Sequence, residues 1–436
     1  MKQYKKWLAK GVVPAILVLT LSQPALAAPV ELSLDESIAL ALKNNASMKT
    51  ALTSRDSAFW AVKQAKAGKG FTLDYNHTST RYNGYSTYEL LFNRRYQYVY
   101  TNDFENTFTL SVPLYSGGNL EGQIDQAKLN LQVSDLDLEA TKQQLKQTVT
   151  TDYYSVLQYR NNLAVSKESV DNYNSHLKIV NLQYSAGTVA KTDVLSSQVS
   201  LANAQATLIK AQNNYDLAMA TLNNATGLPL DTELKLKEEL KYEKYSASLA
   251  DCTKYALENR PEMAQYRAKV DSAKAGIKVA ESGKKPSVNL SASENWNDSH
   301  FAGTENNNWA VALTASWSIF DSGLVKSKVN QAKSSLETAK VNADQKRDTI
   351  LLEVRQYYLS LREAEKRIET TQVAVNQAAE NLKISEVRYN AGVGTNLDVL
   401  DAVLALNTAK TNYIQALYDY NTSKASLNKA MGVTVK

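Results

Sequence analysis

The chain has 436 residues, 44% of them hydrophobic and 21% charged, with a formal net charge of +5 and a single cysteine, Cys252. One cysteine excludes an internal disulfide and a thiolate metal cluster, and Cys252 reads as a small side chain on a helix face. Lys2, Lys5, Lys6 and Lys10 supply most of the excess charge, so the rest of the chain is close to neutral, which argues against a nucleic-acid-binding surface.

In chain order, residues 1–27 have the pattern of a secretion signal. A basic start is followed by the apolar run Val12 to Leu21 and the small-residue site Ala25-Leu26-Ala27. The run is too short to span a bilayer. Ser33 with Glu36 three residues on is a capping box that opens an amphipathic helix, Leu34 to Leu42. Two alternating segments follow. Phe71, Leu73, Tyr75 and His77 share one face, and Phe104, Phe108, Leu110 and Val112 share another. Period two predicts half-buried strands of about ten residues, a length that also suits a tilted membrane strand. Between them lies a tyrosine-rich stretch with Tyr82, Tyr85, Tyr88, Tyr96, Tyr98 and Tyr100, expected as a loop. No Gly or Pro then occurs from Gln123 to Ala186, and apolar residues recur every seven. They are Ile124, Leu131, Leu138 and Leu145, then, after a step of four, Val149, Val156, Leu163, Val170 and Leu177. This is a coiled-coil seam with one stutter. A turn at Ala186-Gly187 and a returning helix from Asp193 to Ala225 complete the unit.

The second half repeats it. An offset of 205 carries Leu114-Tyr115-Ser116 onto Ile319-Phe320-Asp321, Tyr184-x-Ala186-Gly187 onto Tyr389-x-Ala391-Gly392, and Asp193-Val194-Leu195 onto Asp398-Val399-Leu400. The second copy has a helix from Leu249 to Leu257, strands through Val288–Ala292 and Trp309–Ile319, and a seam of Val329, Leu336, Ala343, Ile350, Val354, Leu361, Ile368, Val375 and Leu382. The domains are therefore read as a signal peptide (1–27), repeat 1 (28–227), an inter-repeat linker (228–247) and repeat 2 (248–436), with the linker expected to be solvated and partly helical. The fold class is mainly α with a small β portion: two tandem repeats of long coiled-coil helices and four strands per chain.

Four amphipathic strands cannot close a barrel, and an open sheet edge is not tolerated in lipid, so strands that enter a membrane must be pooled between chains. A dimer gives eight and a trimer twelve. Enzyme chemistry is not indicated. His77, His176 and His300 have no ligand or triad spacing, and Gly392-x-Gly394 follows a helix and is too short for a phosphate loop. No cofactor or metal is expected. A structural coiled-coil protein of the envelope, without channel activity, is the alternative, but it leaves the four strands unexplained.

The motifs Leu34-Asp35-Glu36-Ser37-Ile38-Ala39-Leu40-Ala41-Leu42, Pro113-Leu114-Tyr115-Ser116-Gly117-Gly118 and Arg388-Tyr389-Asn390-Ala391-Gly392 with the following Leu397-Asp398-Val399-Leu400-Asp401 resemble the TolC family of outer membrane efflux proteins. The resemblance implies a homotrimer in the cell outer membrane, with a 12-stranded β-barrel above a periplasmic α-helical barrel. It implies passive conduction of substrates in a tripartite efflux or type I secretion system, with a periplasmic adaptor and an inner-membrane pump of RND or ABC type as partners. It assigns Tyr389, with Asp193 as its partner in the other repeat, to a gate at the periplasmic tip, and Asp398 and Asp401 to the ring of the constriction. Tyr184, Ala186, Gly187, Ala391 and Gly392 become the adaptor-docking tip. The family's gate arginine falls at Gly394, which has no side chain to offer. Trp296, Trp309 and Trp317 are read as membrane-interface aromatics.

Overall fold

A computed structural model describes residues 30–90, 93–301 and 306–435; the expected secretion signal lies outside them. Helix α1 (Leu34–Asn44) starts at the predicted capping box, with Ser33 Oγ accepting from Glu36 N–H and the Glu36 carboxylate accepting from Ser33 N–H. Its counterpart α5 (Leu249–Asn259) uses Ser248 and Asp251 in the same way.

Each short helix is followed by one that the sequence reading missed: α2 (Ala46–Ala67) and α6 (Pro261–Glu281). Pro261 at the first helical position was a usable signal. These helices explain how a long helix finds partners along its whole length. Helix α3 (Asn119–Ser185) and helix α7 (Leu324–Asn390) have 67 residues each, about 100 Å at 1.5 Å per residue. Their return helices, α4 (Lys191–Thr226) and α8 (Asn396–Met431), have only 36. Near the sheet α3 therefore packs on α2 and α6, and towards the turn on α4 and α8.

The seven-residue seams are the packed faces. Val149, Val156 and Leu163 of α3, and Ile350, Val354, Leu361 and Ile368 of α7, are buried. The stutter falls where the two seams enter the larger of two apolar cores. That core collects α1, α5 and the ends of α4 and α8 around the helix midpoints. Strand β1 (Val30–Leu32) pairs in parallel there with β4 (Leu234–Leu236). The expected solvated, partly helical linker is thus corrected. It contains no helix, and Leu234, Leu236 and Leu240 are buried. Two features fix it. Alternation in Leu234-Lys235-Leu236 aims both leucines inward, and Tyr153 donates its hydroxyl proton to the Glu238 carboxylate.

The sheet has the order β2-β3-β5-β6, all antiparallel. Strands β5 (Ser287–Asp298) and β6 (Asn306–Ser316) have the predicted length, but β6 ends before Trp317 and Ile319 because its partner begins at Ser287. Strands β2 (Thr72–Leu90) and β3 (Asn93–Tyr115) are about twice as long as expected. The tyrosine-rich stretch is not a loop: its residues pair from Thr80↔Asp103 to Leu90↔Asn93. Tyr and Thr favour strands, so the segment extends the hairpin beyond the part that pairs with β5.

Candidate functional site: a two-faced sheet and two glycine turns

The register divides the sheet into two chemically different faces. One face carries Leu73, Tyr75, Phe108, Leu110, Val112, Leu290, Ala292, Val311 and Leu313. The other carries Thr72, Asp74, Asn76, Thr107, Thr109, Ser111, Asn289, Ser291, Ser293, Asn308 and Thr314. The first face is exposed, with Leu73 63%, Val311 63% and Leu313 67% accessible. Among the described residues the outermost strands, β2 and β6, each have one edge without a partner strand. An apolar face outside, a polar face inside and two free edges form an arc of a membrane barrel wall. Trp309 is exposed on the apolar face, and Trp296 on the same face packs edge-on against Phe108 at 5.7 Å. Trp317 lies just past the strand and donates its indole N–H to the Lys284 carbonyl. Trp309 is the fourth residue of β6 and Trp317 lies one residue past its other end, about 27 Å further on at a strand's rise per residue.

At the far end of the helices, both turns share one design. Gly187 and Gly392 have φ of 75° and 76°. Thr188 N–H bonds to Gln183 carbonyl and Gly187 N–H to Tyr184 carbonyl; Val393 to Arg388 and Gly392 to Tyr389 repeat the pair. These are Schellman motifs, whose left-handed residue is glycine because a Cβ is disfavoured there. Ala186, Gly187, Ala391 and Gly392 are exposed, as is Tyr184 at 44%.

The two tyrosines differ. Tyr389 is 4% exposed, and its buried hydroxyl has no hydrogen-bond partner among the described residues. Burial raises its pKa, with the Asp193 charge adding to the effect. No hydrogen bond joins Tyr389 to Asp193; the ring instead packs edge-on against His176 at 4.9 Å. Asp193, half-buried in the first turn of α4, offers its main-chain carbonyl to Asn396 Nδ2 at 3.2 Å. Asp398 closes a capping box with Thr395. Those hydrogen bonds, with help from the Arg388 charge, hold its carboxyl below the ordinary range. Asp401 is exposed one turn further on, on the same side of α8 as Asp398. A Cβ at Gly394 would lie 3.0 Å from Tyr389 N, so the turn is tight against any side chain there. Arg388 instead reaches across this turn to the Val393 carbonyl.

The sequence reading passed over the residue that ties these pieces together. Asn396, the first residue of α8 and 6% exposed, accepts at Oδ1 from His176 Nε2 (2.7 Å) and Ser197 Oγ (3.0 Å). Its Nδ2 donates to the Asp193 carbonyl and to Ser196 Oγ (2.9 Å). An Asn just before Leu397-Asp398 looks in sequence like an ordinary helix start, so no local signal marked it. Around this node lies the second apolar core, including Tyr173, Val180, Val194, Leu382, Val399 and Val403.

With this geometry in place, the class is plain: a channel-type envelope protein with a barrel arc on a long helical tube segment. The family model described as outer membrane efflux protein matches residues 37–228 and 253–433, and the chain belongs to that family. It is similar to the outer membrane protein TolC of Escherichia coli (strain K12), with 24% identity over 411 residues, 89% of this chain and 80% of the relative. It is also similar to the alkaline protease secretion protein AprF of Pseudomonas aeruginosa, with 26% identity over 341 residues, 76% of this chain and 70% of the relative. Among solved structures, the CmeC outer membrane channel of Campylobacter jejuni superposes with a TM-score of 0.80 at 19% identity, covering 92% of this chain and 85% of that one. CusC superposes with a TM-score of 0.79 at 18% identity, covering 92% of both chains. Family membership makes this an outer membrane transport protein and not an enzyme.

Proposed function

We propose that three copies of this chain form a passive export conduit. Twelve strands would close the barrel in the outer membrane, and twelve helical segments would form the periplasmic tube. The observation that carries this reading is the sheet: apolar on one face, polar on the other and, among the described residues, unpaired at both edges. A lone arc of this kind in lipid would leave backbone groups unsatisfied at several kcal/mol each, roughly, and pooling identical arcs removes the edges. The family description, outer membrane efflux protein, and the name of the alkaline protease secretion protein AprF support a place in efflux or protein secretion. The chain has no nucleotide-binding motif, so the driving energy would come from an inner-membrane pump coupled through a periplasmic adaptor.

At the tip, Gly187 and Gly392 with the adjoining Ala186, Ala391 and Tyr184 form the exposed turns that an adaptor hairpin would meet. Asp398 and Asp401, taken three times about an axis, would line the constriction with carboxylates, with Asp193 and Tyr389 behind them. Such a ring favours cations and binds multivalent blockers. The test is planar-bilayer conductance of the purified protein together with its mass by size-exclusion light scattering. A conducting trimer whose current is blocked by trivalent cations, with block weakened in Asp398→Ala/Asp401→Ala, is expected. A monomer without conductance would overturn the reading, and unchanged block would remove the two aspartates from the constriction.

A further inference from the structure

We propose that Asn396, anchored by His176, is the residue that holds the tip closed in this protein, in the place where the family resemblance points to a Tyr389–Asp193 pair. The inference rests on the channel reading above and assigns its latch.

Three observations carry it. Among the described residues the Tyr389 hydroxyl has no hydrogen-bond partner, so no bond from it ties the hairpins. Asn396, by contrast, makes four hydrogen bonds, and all four cross from one hairpin to the other. Asn396 begins α8, whereas His176 is on α3 and Asp193, Ser196 and Ser197 are on α4. The amide orientation is fixed by chemistry: a main-chain carbonyl only accepts, so Nδ2 faces Asp193 and Oδ1 faces His176. His176 must then donate from Nε2, which makes the bonded ring the Nε2–H tautomer when neutral. The third observation is asymmetry. The repeat places Lys191 where Asn396 stands and Asn381 where His176 stands, and both are exposed. The node therefore exists once per chain and is not a general requirement for making such a turn. Any hinge motion that swings α7 and α8 away from α3 and α4 breaks the whole set together and uncovers its buried polar atoms, which makes the closed state a discrete one.

The node also has a proton-dependent readout. Burial lowers the His176 pKa below its ordinary 6.5, opposed by the Asn396 hydrogen bond and by Glu386. The titratable groups near it are Glu386 and Tyr389 on α7 and Asp193 on α4; α8 contributes the uncharged Asn396. A lowered histidine pKa means the closed tip binds fewer protons than an opened one with a solvated ring. The closed state is fully favoured above the ordinary value and is penalised as pH falls through it.

The experiment is resting current through the trimer in planar bilayers at pH 7.5 and 5.5. Losing one ordinary buried hydrogen bond shifts an equilibrium about fivefold, so Asn396→Ala is expected to raise the resting open fraction on the order of tenfold or more. Tyr389→Phe should leave it within about twofold, because its hydroxyl has no bond to lose. Wild type should open more at pH 5.5. His176→Gln, which retains an N–H donor without the titration, should stay closed at both pH values. Asp152→Asn, which removes a carboxyl that burial pushes up to about 6, should keep the pH response. If Asn396→Ala fails to assemble, Ser197→Ala, which deletes one of the four bonds, carries the same test with an expected rise of about fivefold. Wild-type resting current in the assembled variants of Asn396 or Ser197, or a pH response surviving in His176→Gln, would overturn the latch while leaving the channel intact. No pore in any form, wild type included, would instead overturn the channel reading and the latch with it.

Discussion

At the residue scale, this protein's polar side chains are placed by what they must bond to when water is removed. Arg260 is the clearest case. Its side chain is 1% exposed and is held by Glu262 at 3.1 Å and Glu353 at 2.6 Å, while Nη1 donates to the Ala430 carbonyl. In repeat 1 the matching position is Asn45, whose Nδ2 bonds to the Ala225 carbonyl. The same helix end is docked by an amide in one copy and a guanidinium in the other. Asp152 is the opposite case. It is half-buried on α3 beside Ser155, Tyr159 and Asn214, has no hydrogen bond from the described residues, and burial pushes it up to about 6. A carboxyl raised above its ordinary 3.8 makes the folded protein bind the extra proton. Its cost is absent below about pH 4, grows as pH rises, and is complete above about pH 6. Asp152→Asn is therefore expected to raise thermal stability at pH 7.5, by about 1 kcal/mol after allowing for solvent screening, and to do nothing at pH 4. Melting curves at the two pH values test this; equal gains at both would remove the titration from the explanation.

At the element scale, heptad spacing decided which faces meet. Leu361 and Ile350 are fully buried on α7, and the step of four before Val354 puts a second row of side chains into the central core. Truncation at such a site removes transfer energy and leaves a cavity, a cost of about 2–5 kcal/mol. Leu361→Ala should lower the thermal midpoint of the helical signal clearly. Val341→Ala, on the exposed side of the same helix at 57% accessibility, should leave the isolated protomer's packing untouched and affect stability only to the extent that assembly covers it. A Leu361→Ala melt equal to wild type would contradict the seam. The elements that were hardest to read were α2 and α6. They have weak amphipathicity because they lie along a long helix rather than over a broad core. The charged linker hides its structure for a related reason: only three of its apolar residues are buried, and β1, which pairs with the segment holding two of them, lies about 200 positions away in sequence.

At the scale of the whole molecule, the two faces of the sheet set the terms of assembly. Arg on the lipid face of a barrel costs about 2–4 kcal/mol at the bilayer midplane, whereas a position facing the lumen tolerates it. Val311→Arg, on the exposed apolar face, should reduce folded trimer in outer-membrane fractions severalfold, and Ser291→Arg, on the polar face, should not. Heat-modifiable migration of the membrane fraction measures both. Equal losses would mean that the two faces do not differ in lipid exposure, and a loss confined to Ser291→Arg would mean that the inside and outside of the arc have been exchanged. The extended β2–β3 hairpin continues past the last pairing of β3 with β5 at Phe104↔Asp298, so this part of the wall is taller than the rest.

The sequence alone determined the repeat, the seams, the starts of α1 and α5, the glycine turns and the alternation of the strands. Each is written in short-range patterns, where spacing along the chain and spacing in space are nearly the same thing. Tertiary structure decided what meets what. Asn396 and His176 are 220 positions apart in the chain, and nothing near either one announces the other. Tyr184 and Tyr389 occupy equivalent places in the repeat, yet one is exposed and the other is sealed. Two copies of one pattern acquire different environments once they pack against each other, because a buried polar atom must take whatever partner the opposing helix presents.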